Sequence, residues 1–221
     1  MKRILTKIIS PFLKVFVKYY FSKPRKYKYK TVDGIVLPTV FFPHFTMSTK
    51  FFMEFISDKD LMNKTVLELG CGTGIISVFC AQNGGIVTSS DINPAAIENA
   101  KLNADRNNVI LKIIHSDLFE KIEPVPFDYI LINPPYYPKT PANDAEKAWF
   151  CGADFEYFHR LFPALPHYFS PNSHVYMILS EDCEVKKIRT IAASNQLRLT
   201  PVYENKKWGE VTYIYRIERI V

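Results

Sequence analysis

The ten residues Thr65–Gly74, TVLELGCGTG, constrain this chain more than any other stretch. A short apolar run from Thr65 to Leu69 reads as a buried strand, and it enters a turn with glycines at 70, 72 and 74 before an apolar helix opens near Ile75. Glycines let the backbone bend sharply and come close to a ligand. The first N–H groups of the helix have no partner within it, so something polar is expected against the turn. A dinucleotide fingerprint, G-x-G-x-x-G, would need glycine at 75, where Ile75 stands. The pattern is G-x-G-x-G, with Glu68 two residues ahead of its first glycine. A carboxylate there repels a pyrophosphate and suits a ligand carrying an ammonium group. A tight strand-to-helix turn with no ligand is the plainer reading of the same residues.

The strand–turn–helix rhythm repeats downstream. A helix from Ile75 to Asn83 ends at Gly84-Gly85, and Ile86–Ser90 forms the next strand. Asp91 then stands where an acid of a doubly wound sheet can accept both hydroxyls of a ribose. Asn93-Pro94 supplies the cap and first turn of a helix running to about Arg106, which leaves Asp91 to a ligand. Val109–His115 is a third strand, followed by Ser116-Asp117-Leu118, and Phe127–Ile132 a fourth, followed by Asn133-Pro134-Pro135-Tyr136. Two prolines stop the ladder and hold Asn133 and the Pro134 carbonyl extended. A side-chain amide oxygen and a backbone carbonyl beside an aromatic ring suit a planar NH₂ group, which donates two hydrogen bonds in one plane. Accepting both hydrogens leaves the nitrogen lone pair free to attack, and positioning supplies much of the rate. The alternative is a rigid turn without chemistry.

ELGCGTG resembles the first motif of the Rossmann-like S-adenosylmethionine (SAM) methyltransferases. With Asp91 and NPPY it looks like the amino methyltransferases that act on glutamine side-chain amides or on exocyclic amino groups of bases. Trp149–Asp154, WFCGAD, and the segment after it resemble the HemK family of protein-glutamine methyltransferases. The resemblance spans roughly residues 40–220 and implies an α/β fold, a three-layer αβα sandwich with a mostly parallel seven-stranded sheet and an antiparallel C-terminal hairpin. It implies SAM as cofactor and no metal. Glu68, Gly70, Cys71, Gly72 and Gly74 would hold the methionine end, Asp91 and Ile92 the ribose, Asp117 and Leu118 the adenine. Asn133 would face both donor and acceptor, with Pro134 and Tyr136 completing the acceptor site. Phe45, Thr46 and Ser48, just before the glycine motif, are candidates to lie beside SAM or to cover the core. The bacterial release-factor enzymes of this family carry a helical N-terminal domain, where this chain has only a basic arm. The acceptor implied first is a protein glutamine. An adenine amino group of ribosomal or transfer RNA is the rival, and SAM binding without turnover the third reading.

The formal charge of +6 is unevenly placed. Residues 1–31 hold ten Lys or Arg and no acid, leaving 18 basic against 22 acidic residues in 32–221. Contact with RNA or an anionic membrane therefore belongs mainly to the arm. From Met1 to Tyr20 apolar residues recur at helical spacing, but Lys7, Lys14 and Lys18 interrupt them too often for a signal peptide or a transmembrane span. A helix packed on the body, an interfacial helix and an RNA-gripping arm all remain open. Residues 22–31 alternate Lys or Arg with Tyr, which suits either stacked bases or a solvated edge strand. The division expected is an arm at 1–31 and a methyltransferase domain at 32–221. The domain opens with a loop-rich approach at 32–49 and a helix over 50–60. It closes with a helix over 182–195, two strands over 197–203 and 211–217, and a hairpin tip at 206–209. Cys71, Cys80, Cys151 and Cys183 form no C-x-x-C pair and read as free thiols of a cytoplasmic protein without a zinc site.

Overall fold

A computed structural model describes residues 22–43, 47–207 and 210–220. The amphipathic stretch 1–20, Phe45, Thr46 and Trp208 lie outside them. In chain order come a hairpin of β1 (Arg25–Tyr29) and β2 (Val32–Val36), helix α1 (Ser48–Ile56), β3 (Thr65–Leu69), α2 (Ile75–Gln82), β4 (Ile86–Asp91), α3 (Pro94–Arg106) and β5 (Lys112–His115). Then follow β6 (Tyr129–Ile132), α4 (Glu156–Ala164), β7 (His174–Ser180), α5 (Val185–Ser194), β8 (Leu197–Lys207) and β9 (Glu210–Arg219).

Seven strands form one sheet in the order β5-β4-β3-β6-β7-β9-β8, parallel through β7, with β9 antiparallel to both its neighbours. The chain winds outward from β3 to β5, then returns to β6 on the other side of β3. That reversal opens a crevice above the carboxyl ends of β3 and β6. Both faces of the sheet are covered, so its central strands β3, β6 and β7 are apolar runs whose alternate residues enter different cores. Leu67, Leu69, Ile130, Ile132, Met177 and Leu179 join Phe158 and Phe162 of α4 and Ile188 of α5. Val66, Leu131, Tyr176 and Ile178 join Phe52 and Phe55 of α1 and Val78 and Phe79 of α2.

The loop-rich approach expected at 32–49 begins instead with a strand, β2, paired to β1 in a two-stranded sheet with Tyr29 opposite Val32. The expected division after residue 31 thus runs through a hairpin. Gly34 is a point of close approach rather than a break: a Cβ there would meet Ile75 at 3.3 Å and Asn103 Nδ2 at 3.6 Å. Tyr27 is buried and Lys28 exposed, as an edge strand with two unlike faces requires.

The second edge of β2 pairs with asparagine side chains. Asn99, Asn103 and Asn107 lie four residues apart on α3 and its C-cap, about 6 Å per step. Alternate residues of a strand advance about 6.7 Å, so the two rows stay in step. The amide oxygens of Asn107, Asn103 and Asn99 accept from Asp33, Ile35 and Leu37 N–H at 3.0, 2.8 and 2.8 Å. Their amide nitrogens donate to the Asp33 and Ile35 carbonyls. Asn103 Nδ2 also donates to the Thr73 carbonyl at 2.9 Å, tying the hairpin to the glycine turn. Asn103 is fully buried. Its replacement by alanine strands Ile35 N–H and the Thr73 carbonyl, while the Ile35 carbonyl keeps Asn99 Nδ2 at 2.7 Å, and is expected to cost about 3 kcal/mol, a fall of roughly 6–12 °C in Tm. The same change at half-buried Asn107 should cost about 1 kcal/mol. Equal losses at the two positions, read by thermal denaturation, would refute the ladder as a buried clip.

Candidate active site

Register sets the site. Leu69 pairs with Ser90 and with Ile132, and Asp91 with His115. The next residues, Gly70, Asp91 and Asn133, therefore stand level at the ends of three adjacent strands, with Asp117 just beyond β5. A cavity of about 400 Å³ lies over them.

The glycine turn is built to leave that cavity open. Gly70, Gly72 and Gly74 have φ of +75°, +52° and +71°. Gly70 and Cys71 N–H both donate to the Ser90 carbonyl at 2.9 Å, which pins the turn to β4. A Cβ on Gly70 would meet nothing within 4 Å. Gly74, grouped with the ligand-holding glycines by the sequence, is not part of the cavity wall. It caps α2, and a Cβ there would lie 2.8 Å from Ala100 Cβ and 2.9 Å from Ala100 Cα, so its role is helix packing. Phe45 and Thr46 lie outside the described residues; every other residue expected in the site lines the cavity.

Glu68 points from β3 toward α2. Its Oε2 accepts from Ser77 N–H at 2.8 Å and from the Ser77 hydroxyl, which in turn accepts from Ser89 Oγ at 2.6 Å. The carboxylate thus takes one of the unpaired N–H groups in the first turn of α2, a duty the sequence reading did not give it. Burial pushes its carboxyl up to about 8, against the Ser77 hydrogen bonds and with Asp91 adding to the rise. Asp91 Oδ2 accepts from Gly72 N–H and Oδ1 from Asn93 N–H, both at 2.8 Å. Burial raises it too, opposed by those bonds. Asn93 caps α3 through Ala95 N–H at 3.0 Å, as the sequence indicated. Ser90 Oγ is buried without a hydrogen-bond partner on the cavity wall.

Asp117 carries a partner the sequence did not reveal. Arg160 of α4 reaches its Oδ2 at 2.9 Å and Glu120 at 3.3 Å. Across the cavity, Asn133 Nδ2 donates to Ser48 Oγ at 3.3 Å. Ser48, a candidate to lie beside SAM, thus anchors the asparagine, whose amide oxygen is left for a ligand. The segment after NPPY roofs the cavity. Tyr137 N–H donates to the Trp149 carbonyl and Cys151 N–H to the Tyr137 carbonyl, at 3.1 and 3.0 Å, which folds WFCGAD back onto NPPY. Trp149 meets Phe41 at 5.0 Å between ring centroids, closing the roof against the opposite wall. Phe41 was absent from the sequence reading, because nothing in FFPHFT separates one phenylalanine from the others.

Sheet order, glycine turn and NPPY at the end of β6 together define a Rossmann-like, SAM-dependent methyltransferase. The chain belongs to the methyltransferase small domain family, whose model matches residues 36–154. It is 50% identical over 82 residues to a "Putative protein N5-glutamine methyltransferase" of Methanocaldococcus jannaschii, over 37% of this chain and 41% of that protein. It is 32% identical over 130 residues to the ribosomal RNA small subunit methyltransferase C of Buchnera aphidicola, over 58% of this chain and 38% of that one. The chain thus spans about two fifths of the length of these curated relatives. Among solved structures it matches a chain of the E. cuniculi Mtq2–Trm112 complex, described as responsible for methylating the termination factor eRF1. There the TM-score is 0.62 at 22% identity, covering 82% of this chain and 99% of that one. Among the described residues no group of three or more His, Cys, Asp or Glu could hold a metal ion, and no helix is long and apolar enough to cross a membrane.

Proposed function

We propose that this chain transfers the methyl group of SAM to the side-chain amide nitrogen of a protein glutamine. One observation carries the reading: Asn133 stands level with the glycine turn, its amide nitrogen tied to Ser48 and its oxygen left to accept. The cavity fits the donor, since the turn at Gly70 is open, Ser90 Oγ lacks a partner, and the carboxyl groups of buried Glu68 and half-buried Asp91 lie on its wall for an ammonium and a ribose. When bound, SAM supplies a methyl group on a positively charged sulfur. Glu68, Gly70, Cys71 and Gly72 would hold its methionine end, Asp91 and Ile92 the ribose, Asp117 and Leu118 the adenine. Asn133 Oδ1 and the Pro134 carbonyl accept the two amide hydrogens of the glutamine, and Tyr136 lies along its plane. The nitrogen lone pair is thereby directed at the donor, and the surplus proton on nitrogen leaves to solvent after transfer. The reading places the enzyme in the cytoplasm, where four buried thiols stay reduced.

The Buchnera relative, named for methylating ribosomal RNA, supports RNA as the other acceptor. Tritiated SAM in a cell extract, with the product split by protease and ribonuclease, separates the two. Label in protein, lost with Asn133→Ala, is the expected result; label in RNA would move the acceptor to a base.

The buried acid makes binding depend on pH. Glu68 attracts an ammonium only as a carboxylate, so SAM affinity is expected to rise as pH climbs toward about 8 and to fall again once the ammonium loses its own proton. Stability of the empty protein runs the other way. A carboxyl kept protonated by the fold favours the folded state at low pH, and that contribution is lost as pH rises through about 8. Calorimetric titration below pH 8 should show the rise in wild type and none in Glu68→Gln. A slope that survives the substitution would assign the dependence to another group.

A further inference from the structure

A second cavity, about 190 Å³, adjoins the first and shares Ser48, Tyr136 and Trp149 with it. Its position follows from register. Ile132 pairs with Met177, so Asn133 stands level with Ile178, and the cavity extends from Ile178 to Asp182 at the end of β7. The SAM-side groups therefore run from β5 through β4 and β3, the acceptor group sits on β6, and this cavity is next in line. An occupant would reach it from the acceptor.

The lining has a definite chemistry. Tyr136, Tyr137 and Trp149 present three aromatic rings, with Tyr136 and Tyr137 4.8 Å apart between centroids. Ser180 and Thr212 pair across β7 and β9 and are both buried in the floor. Asp182 N–H donates to Ser180 Oγ at 3.3 Å, the turn that brings the Asp182 carboxylate to the rim. Among the described residues of the lining Asp182 is the one charged group, with no Lys or Arg beside it. Aromatic faces, hydroxyls and a lone carboxylate attract a cation and repel a phosphate.

Resting on the glutamine reading above, we infer that this cavity is a subsite for a lysine or arginine side chain close in sequence to the methylated glutamine. Neighbouring strands lie about 4.8 Å apart and an extended peptide advances about 3.4 Å per residue. The cation therefore belongs one or two residues from the glutamine. The subsite selects a basic protein segment and disfavours a nucleotide, whose phosphate would face Asp182.

The test uses the full chain, tritiated SAM and ten-residue peptides with one glutamine and Lys, Ala or Glu at the two positions on either side. Wild type should show kcat/KM about tenfold higher for the Lys series than for the Glu series. Asp182→Lys should reverse the order, with a gain on the Glu series that a misfolded protein could not produce. Equal turnover of the Lys and Glu series, or an order unchanged in Asp182→Lys, overturns the subsite and leaves the glutamine reading standing. Label in added RNA with none in any peptide overturns the glutamine reading itself, and the subsite with it.

Discussion

Replacing Asn133 by alanine is expected to lower methyl transfer by about a thousandfold, the scale of losing a preorganised polar group at the reacting centre. SAM binding should weaken by no more than about fivefold, the worth of one hydrogen bond. The division follows from where the residue stands. Asn133 ends β6, one strand over from the glycine turn, and faces the cavity from the side opposite Asp91 and Asp117. On the proposed function it would act mainly on the acceptor. An amide can rotate to present either end, and Ser48 decides which end faces the cavity by accepting from Nδ2. Ser48→Ala removes that anchor without touching the reacting groups. It should cost on the order of tenfold in kcat, because the acceptor is then misaligned part of the time. Single-turnover rates beside calorimetric SAM titrations would check both variants. An Asn133→Ala protein that keeps turnover within tenfold of wild type would remove Asn133 from the chemistry.

The centre of the sheet could be read because strands β3, β6 and β7 each feed two cores. Val66, Leu67, Leu69 and Tyr129–Ile132 are apolar runs that suit only a buried parallel strand, and each ends in a glycine, an acid or a proline pair. What escaped the sequence is what rests on contacts between distant segments. Arg160 lies far along the chain from Asp117, and its place on α4 looks like any exposed arginine. Asparagines at 99, 103 and 107 are weak helix formers whose spacing of four means nothing until β2 is set beside them. The spacing was visible, so the ladder could have been proposed had residues 32–36 been read as a strand. The hairpin itself was hidden by Gly34, which looks like a break and serves as a point of contact. The three glycines of the turn are alike as letters, and their different duties come from what lies opposite each.

Gly74→Ala and Gly70→Ala should fail in opposite ways. Both glycines hold a left-handed backbone, with φ of +71° and +75°, and alanine pays about 1–2 kcal/mol for that conformation at either position. At Gly74 the new methyl also collides with Ala100, including its backbone Cα at 2.9 Å. Backbone cannot turn aside as a flexible side chain can, so α2 and α3 must move apart. The added cost of overpacking brings the total to about 3 kcal/mol or more, a fall of roughly 6–12 °C in Tm. At Gly70 the methyl meets nothing within 4 Å, and stability should fall only by the conformational cost. That open space belongs to the cavity wall, however, and filling it should weaken SAM binding at least about tenfold. Thermal denaturation and SAM titration of the two variants together give a crossed pattern, stability lost at 74 and affinity lost at 70. If Gly70→Ala binds SAM as wild type does, the donor does not lie against this turn; if Gly74→Ala melts as wild type does, helix α2 does not depend on the contact with Ala100.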